Sequence, residues 1–151
     1  MIKIICVGKI KEKFFSDAIN EYEKRLSKYV SLKIVEVEDS RDDEINGLEK
    51  ERDRIEKYID NRDYVITTEV DGLNMTSLEF AKKIDSIFIG GKSTIAFVIG
   101  GSNGIHIDIK KRSNYKLSFS NMTFPHQLFR IILLEQIYRS YKINNNESYH
   151  K

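Results

Sequence analysis

Short β-branched runs alternate with segments of helical period along this chain, and that alternation restricts it to a small set of folds. Ile2–Val7, Leu32–Val37, Tyr64–Val70 and Thr94–Ile99 are four such runs, with the length and composition that strands favour. Lys116–Phe119 is a weaker fifth. Between the first two, Phe15, Ala18, Ile19, Tyr22, Leu26 and Tyr29 recur at helical spacing. Ile45, Leu48, Ile55 and Ile59 do the same within the very polar stretch 41–61, which reads as a solvated surface helix. Thr76 with Glu79 three residues on has the pattern of a capping box, and the helix it opens runs through Ala81, Ile84 and Phe88 to Gly90-Gly91. The order β-α-β-α-β-α-β, followed by a short helix, a short strand and a long helix, argues for an α/β domain: a mostly parallel sheet with helices on both faces. The run 94–99 is almost wholly apolar, as a central strand covered on both sides must be. No repeat or Gly/Ser linker interrupts residues 1–151 and Pro125 is the only proline, so a single domain is expected.

The final helix is expected to start at Pro125, a residue suited to a first helical turn, and to reach about Lys142. Leu128, Phe129, Ile131–Leu134, Ile137, Tyr138 and Tyr141 spread round too much of its circumference to meet one sheet face. A deeply buried helix would account for them, as would burial against the sheet on one side and a second subunit on the other; a homodimer is the favoured expectation.

A chain of 151 residues can bury about 70% of its unfolded surface and needs no disulfide or metal to hold a core. Its one cysteine, Cys6, sits in an apolar run, which excludes an intrachain disulfide, argues against a zinc cluster and makes a cytoplasmic setting the default. The apolar stretches are far shorter than the roughly 20 residues that cross a bilayer, and the N-terminus lacks a secretory cleavage pattern, so membrane and secreted classes are set aside. The net charge of +2 conceals a division: residues 1–105 sum to −3 and residues 106–151 to +5, and all three histidines, His106, His126 and His150, lie in the second part. A basic end on an otherwise acidic chain points to an anionic partner.

Two segments could carry chemistry. Gly100-Gly101-Ser102-Asn103-Gly104 follows the apolar run 94–99. Glycine there admits positive φ and close approach of a ligand at a strand's carboxyl end, but a tight turn needs glycine for steric reasons alone, and the motif is neither Gly-x-Gly-x-x-Gly nor a Walker loop. Leu117–Gln127 mixes apolar with small hydroxyl and amide side chains. Its backbone could read the edge of a flat heterocycle while Phe119, Met122 and Phe124 line the faces, or those three could simply be core. His126 reads as a capping or core-edge residue.

Together these segments resemble a known family. Gly100–Gly104, Arg112-Ser113-Asn114-Tyr115, Leu117–Ser120, Met122–Gln127, Glu135–Arg139 and Tyr149-His150, with Val7–Glu12 and Tyr22–Leu26, are similar to the RlmH (YbeA) family of SPOUT methyltransferases, and the similarity spans nearly the whole chain. The resemblance implies an S-adenosylmethionine-dependent enzyme that methylates N3 of a pseudouridine in 23S rRNA of the large ribosomal subunit, with a trefoil knot in its C-terminal half. It implies cofactor contacts from Thr68, Gly100, Phe119, Ser120, Asn121, Met122, Thr123 and Phe124, and no metal. The chain departs from the family pattern at Thr68–Leu73, which lacks the usual leucine and lysine. It also carries Asn146 in place of a glycine, and ends Tyr149-His150-Lys151 where many members end in arginine. Asparagine tolerates the left-handed conformation better than most residues, so the turn at 146 can survive.

Methylating an imide nitrogen requires that its proton be removed and the nucleophile held in line. Tyr149, His150 and Arg139 are the candidates to complete the site, within one chain or across a dimer interface; a frayed, solvated terminus is the alternative reading of the last residues. His150 is the candidate base because imidazole titrates near neutral pH. Glu135 and Arg139, four apart, read as an ordinary helix-surface ion pair. Arg112, Tyr115, Arg130 and Lys142 are too scattered to define an RNA groove. The rival class is a non-catalytic module that holds a nucleotide at Gly100–Gly104 and RNA at its basic end. A flavodoxin-like domain fits less well, since only Gly8 follows the first strand.

Overall fold

The computed structural model describes all residues from Met1 to Lys151. Five strands, β1 (Ile2–Val7), β2 (Leu32–Val37), β3 (Tyr64–Asn74), β4 (Ile95–Ile99) and β5 (Tyr115–Ser118), alternate with five helices, α1 (Lys13–Leu26), α2 (Gly47–Glu56), α3 (Ser77–Ile89), α4 (Ile107–Arg112) and α5 (His126–Asn144). The strands form one sheet in the order β2-β1-β4-β3-β5, and every pairing in it is parallel. Successive side chains of a strand point to opposite faces, which sorts the core into two clusters. On one face Ile4, Cys6, Phe97 and Ile66 meet Ile19 and Leu26 of α1, Phe80 and Ile84 of α3, and Leu133, Leu134 and Ile137 of α5. On the other, Ile5, Val7, Val35 and Val98 meet Ile55 of α2 and Ile109 of α4. All five residues of the central strand β4 are buried. The α/β class with helices on both faces is therefore as the sequence predicts, and the sheet is wholly rather than mostly parallel. No helix is long and apolar enough to cross a membrane.

The capping box forms: Thr76 Oγ1 accepts from the Glu79 amide (3.2 Å) while the Thr76 amide donates to Glu79 Oε2 (2.7 Å). Thr76→Ala removes one of these two bonds and leaves the core untouched, so it should lower the unfolding free energy by about 1 kcal/mol, read as a shift in urea midpoint at constant slope.

Elsewhere the structure corrects the expected boundaries. The helix of 41–61 shrinks to Gly47–Glu56, because Ser40 and Glu44 tie the preceding segment into turns: Ser40 Oγ donates to Gly47 O (2.9 Å), and Glu44 Oε1 pairs with Lys50 Nζ (2.5 Å). Ile45 stays exposed, and the helix is not purely a surface one, since Ile55 and Glu51 are buried. Helix α1 ends at Leu26, three residues before Tyr29. Pro125 is the N-cap of α5, with an extended ψ of 133°, rather than its first-turn residue. The third strand runs four residues past Val70, to Asn74, and is interrupted within. Thr68 and Leu73 both sit opposite Leu117 of β5, so Glu69, Val70, Asp71 and Gly72 loop out as a four-residue excursion. Backbone of Lys116 and Leu117 lies 2.8–2.9 Å from where a Gly72 Cβ would be, so only glycine lets the excursion close against β5. Ser118 Oγ holds it there through the Val70 carbonyl (2.9 Å).

Candidate active site

The excursion, the Gly100–Gly104 turn after β4 and the segment between β5 and α5 enclose one cavity of about 390 Å³ at the carboxyl ends of the central strands. This is where open parallel sheets take their ligands. Seven of the eight expected cofactor contacts line it: Thr68, Gly100, Phe119, Ser120, Met122, Thr123 and Phe124. Asn121 is exposed and stands outside the lining. The Thr68 hydroxyl turns to the Val98 carbonyl (3.0 Å), tying β3 to β4. Phe119 packs edge-on to Phe129 (centroids 4.9 Å) and Phe80 (6.3 Å), so its ring is at once core and cavity wall. Met122 is 74% exposed at the mouth. Charged groups that the sequence reading did not single out also line the space: Glu69 and Asp71 on the excursion and Lys110 on α4.

The three glycines of the turn each have a steric reason that needs no ligand. A Cβ on Gly100 would lie 2.6 Å from Gly104 O, one on Gly101 would lie 2.9 Å from Val7 Cγ1, and Gly104 has φ +76°. Of the two accounts open at the sequence level, close packing of the turn suffices for the glycines, and the case for a ligand rests on the rest of the wall.

The second group of candidates gathers elsewhere. Arg139 donates to Glu135 Oε1 through Nε (3.0 Å) and Nη2 (2.6 Å), its Nη1 lies 3.2 Å from His150 Nδ1, and its guanidinium covers the Tyr149 ring at 4.7 Å. Tyr149 OH donates to the same Glu135 oxygen (3.2 Å), and its ring packs edge-on against Tyr138 (5.0 Å). Burial, with Glu135 adding to it, pushes the Tyr149 phenol above its ordinary value, so it is a neutral donor at neutral pH. A guanidinium only donates, so in this contact His150 Nδ1 can serve only as the acceptor. Glu135 is thus the hub of the tail, more than one half of a surface pair. Asn146 takes φ +55°, the left-handed turn expected of it, and Glu147 is fastened by Lys142 (2.5 Å) and Tyr29 OH (2.8 Å). None of these tail residues lines the cavity. Phe129 does, and Arg139 lies ten residues further along α5, about 15 Å at the helical rise.

Four of the eight basic side chains of residues 106–151 are committed within the chain. Arg112 Nη2 donates to the carbonyls of Asp60, Asn61 and Asp63 (3.1–3.3 Å). Arg139 and Lys142 hold the tail. Arg130 is 2% exposed, with Nη1 on Glu36 Oε2 (3.1 Å) and Nη2 on Gly8 O (3.1 Å). Arg130, read from the sequence only as one of the scattered basic positions, sits at the centre of a clamp joining β1, β2 and α5.

A wholly parallel α/β sheet with a cavity over β3, β4 and β5, walled by a glycine turn and an aromatic loop, places the chain among open α/β domains whose ligand sites lie at the carboxyl ends of their strands. Two solved structures share the fold: a probable methylase family protein from Haemophilus influenzae (TM-score 0.60, 17% identity, covering 99% of this chain and 70% of that one) and the tRNA (m1G37) methyltransferase from Aquifex aeolicus (TM-score 0.52, 13% identity, 91% and 69%). The family described as "Predicted SPOUT methyltransferase" matches residues 1–150. Proteins named ribosomal RNA large subunit methyltransferase H from Clostridium kluyveri and Clostridium botulinum are each 52% identical over 99% of both chains, and one from Methanococcus maripaludis, given that name provisionally, is 55% identical over the same share. The chain belongs to the SPOUT methyltransferases and, within them, to the ribosomal RNA large subunit methyltransferase H family.

Proposed function

We propose that this protein moves the methyl group of S-adenosylmethionine to N3 of a pseudouridine in 23S rRNA, acting in the cytoplasm on the large ribosomal subunit as a homodimer. The observation that carries the reading is the cavity itself: aromatic and thioether walls from Phe119, Phe124 and Met122, a hydroxyl-rich rim, and both signs of charge from Glu69, Asp71 and Lys110. These residues fit a ligand that joins a purine nucleoside to a charged amino acid. Thr68, Gly100, Phe119, Ser120, Met122, Thr123 and Phe124 would hold it, within C-terminal loops that form the family's knot. The relatives' names supply the rRNA substrate.

When bound, the cofactor supplies a methyl group on a positively charged sulfur, so the chain's task is to orient the imide nitrogen and take its proton. Tyr149, His150 and Arg139 are suited to that task by chemistry, and their distance from the cavity of their own chain is answered by a second subunit. Lys11 N donates to Gln127 Oε1 (3.1 Å), which sets the start of α1 beside the start of α5. There Phe14 and Leu128 stay 64% and 37% exposed, an apolar face of the kind a partner covers. For His150 to accept a proton, Arg139 must first leave Nδ1, so docking of RNA or the partner's cavity would release the base.

Mass spectrometry of 23S rRNA from cells lacking the gene tests the substrate. One methyl should disappear from one pseudouridine and return on complementation. An unchanged modification pattern overturns the substrate, and failure of the purified protein to bind S-adenosylmethionine overturns the enzyme reading in favour of a binding module.

A further inference from the structure

The cavity holds one cation. Lys110 is the only lysine or arginine among its lining residues, and it stands on α4 next to the fully buried Ile109. Its Nζ lies 3.5 Å from Glu69 Oε2, beyond good hydrogen-bond length. The Glu69 side chain is only 5% exposed, and the Thr67 hydroxyl fixes its other oxygen at 2.8 Å. A buried carboxylate therefore stands beside a partly exposed ammonium, 28% accessible, that it pairs with but does not hydrogen-bond. The free α-amino-acid group has the same two charges in the same order of separation, an ammonium and a carboxylate attached to one carbon. Set against each other in opposite sense, the two pairs satisfy all four charges.

We propose that Lys110 and Glu69 form the subsite for the methionyl end of the cofactor, Lys110 taking the α-carboxylate and Glu69 the α-ammonium. This rests on the S-adenosylmethionine reading and names the residues that would recognise its amino-acid half. The charge balance agrees. Glu69, Asp71 and Lys110 sum to −1, the complement of S-adenosylmethionine, in which sulfonium and ammonium outweigh the carboxylate by one. Loss of the methyl removes the sulfonium charge, so the same three groups hold the product, S-adenosylhomocysteine, less well. Lys110 and Glu69 lie 41 residues apart on α4 and the β3 excursion, and only the looping-out of residues 69–72 brings them together.

Calorimetric titration of three nucleosides tests the assignment without recourse to turnover. S-adenosylmethionine and S-adenosylhomocysteine carry the amino-acid group; 5′-methylthioadenosine has the same nucleoside and sulfur but lacks it. Lys110→Met should weaken both amino-acid ligands about tenfold or more and leave 5′-methylthioadenosine unchanged, and Lys110→Arg should restore most of the loss. Retained binding of 5′-methylthioadenosine shows that the variant is folded. If Lys110→Met binds S-adenosylhomocysteine as the parent does, or loses all three ligands equally, the subsite is wrong while the cofactor stands. If the parent protein binds none of the three, the cofactor reading fails, and the subsite with it.

Discussion

A chain ending at Ser148 should transfer methyl groups at least about a hundredfold more slowly than the full chain, the scale of a lost general acid–base group, while remaining folded. Tyr149 contributes one edge-on aromatic contact, one hydrogen bond and a ring face covered by Arg139, and His150 is exposed with one contact to Arg139. Their removal should therefore cost about 1–3 kcal/mol of stability. The cavity lining ends at Phe129, so affinity for the cofactor should be unchanged. That combination of normal fold, normal cofactor binding and collapsed turnover is what a tail completing another subunit's site requires. Arg139→Lys refines it: a single ammonium cannot reach Glu135 twice and His150 as well, so this variant should fall between the parent and the truncation. Unimpaired turnover by the truncated protein would remove Tyr149 and His150 from the mechanism.

The second large effect concerns stability. Glu36→Ala should destabilise the fold by about 3–5 kcal/mol, the range for stranding a buried charge, and more than Arg130→Met does. The asymmetry follows from solvent access. Glu36 is 36% exposed, whereas Arg130 is 2% exposed and its Nε already lacks a partner. Take away the arginine and the carboxylate turns to water, leaving the Gly8 carbonyl as the main casualty, about 1–3 kcal/mol. Take away the glutamate and a guanidinium remains in the core with the Gly8 carbonyl alone, while the Ile10 amide, which now donates to Glu36 at 2.8 Å, loses its acceptor. Urea unfolding of the two variants side by side reads the order; a larger loss for Arg130→Met would show that packing of the arginine stem, and not its charge, governs this joint.

What could be read from residues alone divides along physical lines. Strands β1, β2 and β4 and the capped start of α3 were legible because each is decided by local terms: β-branched runs, apolar content, a Thr–Glu pair three apart. The short α2 was not, since Ser40, Glu44 and Gly47 compete for the same backbone groups through contacts that periodicity ignores. The excursion of β3 was invisible for a different reason. Register is a relation between strands, and nothing in Glu69–Gly72 announces that Thr68 and Leu73 will share one partner. Lys110 has no sequence neighbour that marks it out, and it meets Glu69 only through that relation. The aromatic loop 119–124 was found through its mixed composition, but the separation of Arg139, Tyr149 and His150 from the cavity belongs to the tertiary path of α5.

The steric grip on the glycine turn bears on how such a protein would decay. A descendant that no longer bound any nucleotide would still be obliged to keep Gly100 against the Gly104 carbonyl and Gly101 against Val7, because its own sheet would penalise the change. Lys110, with no comparable backbone neighbour holding it to type, would be free to drift. In a lineage of such chains the glycines would record that the architecture survived, and the lysine that the activity had.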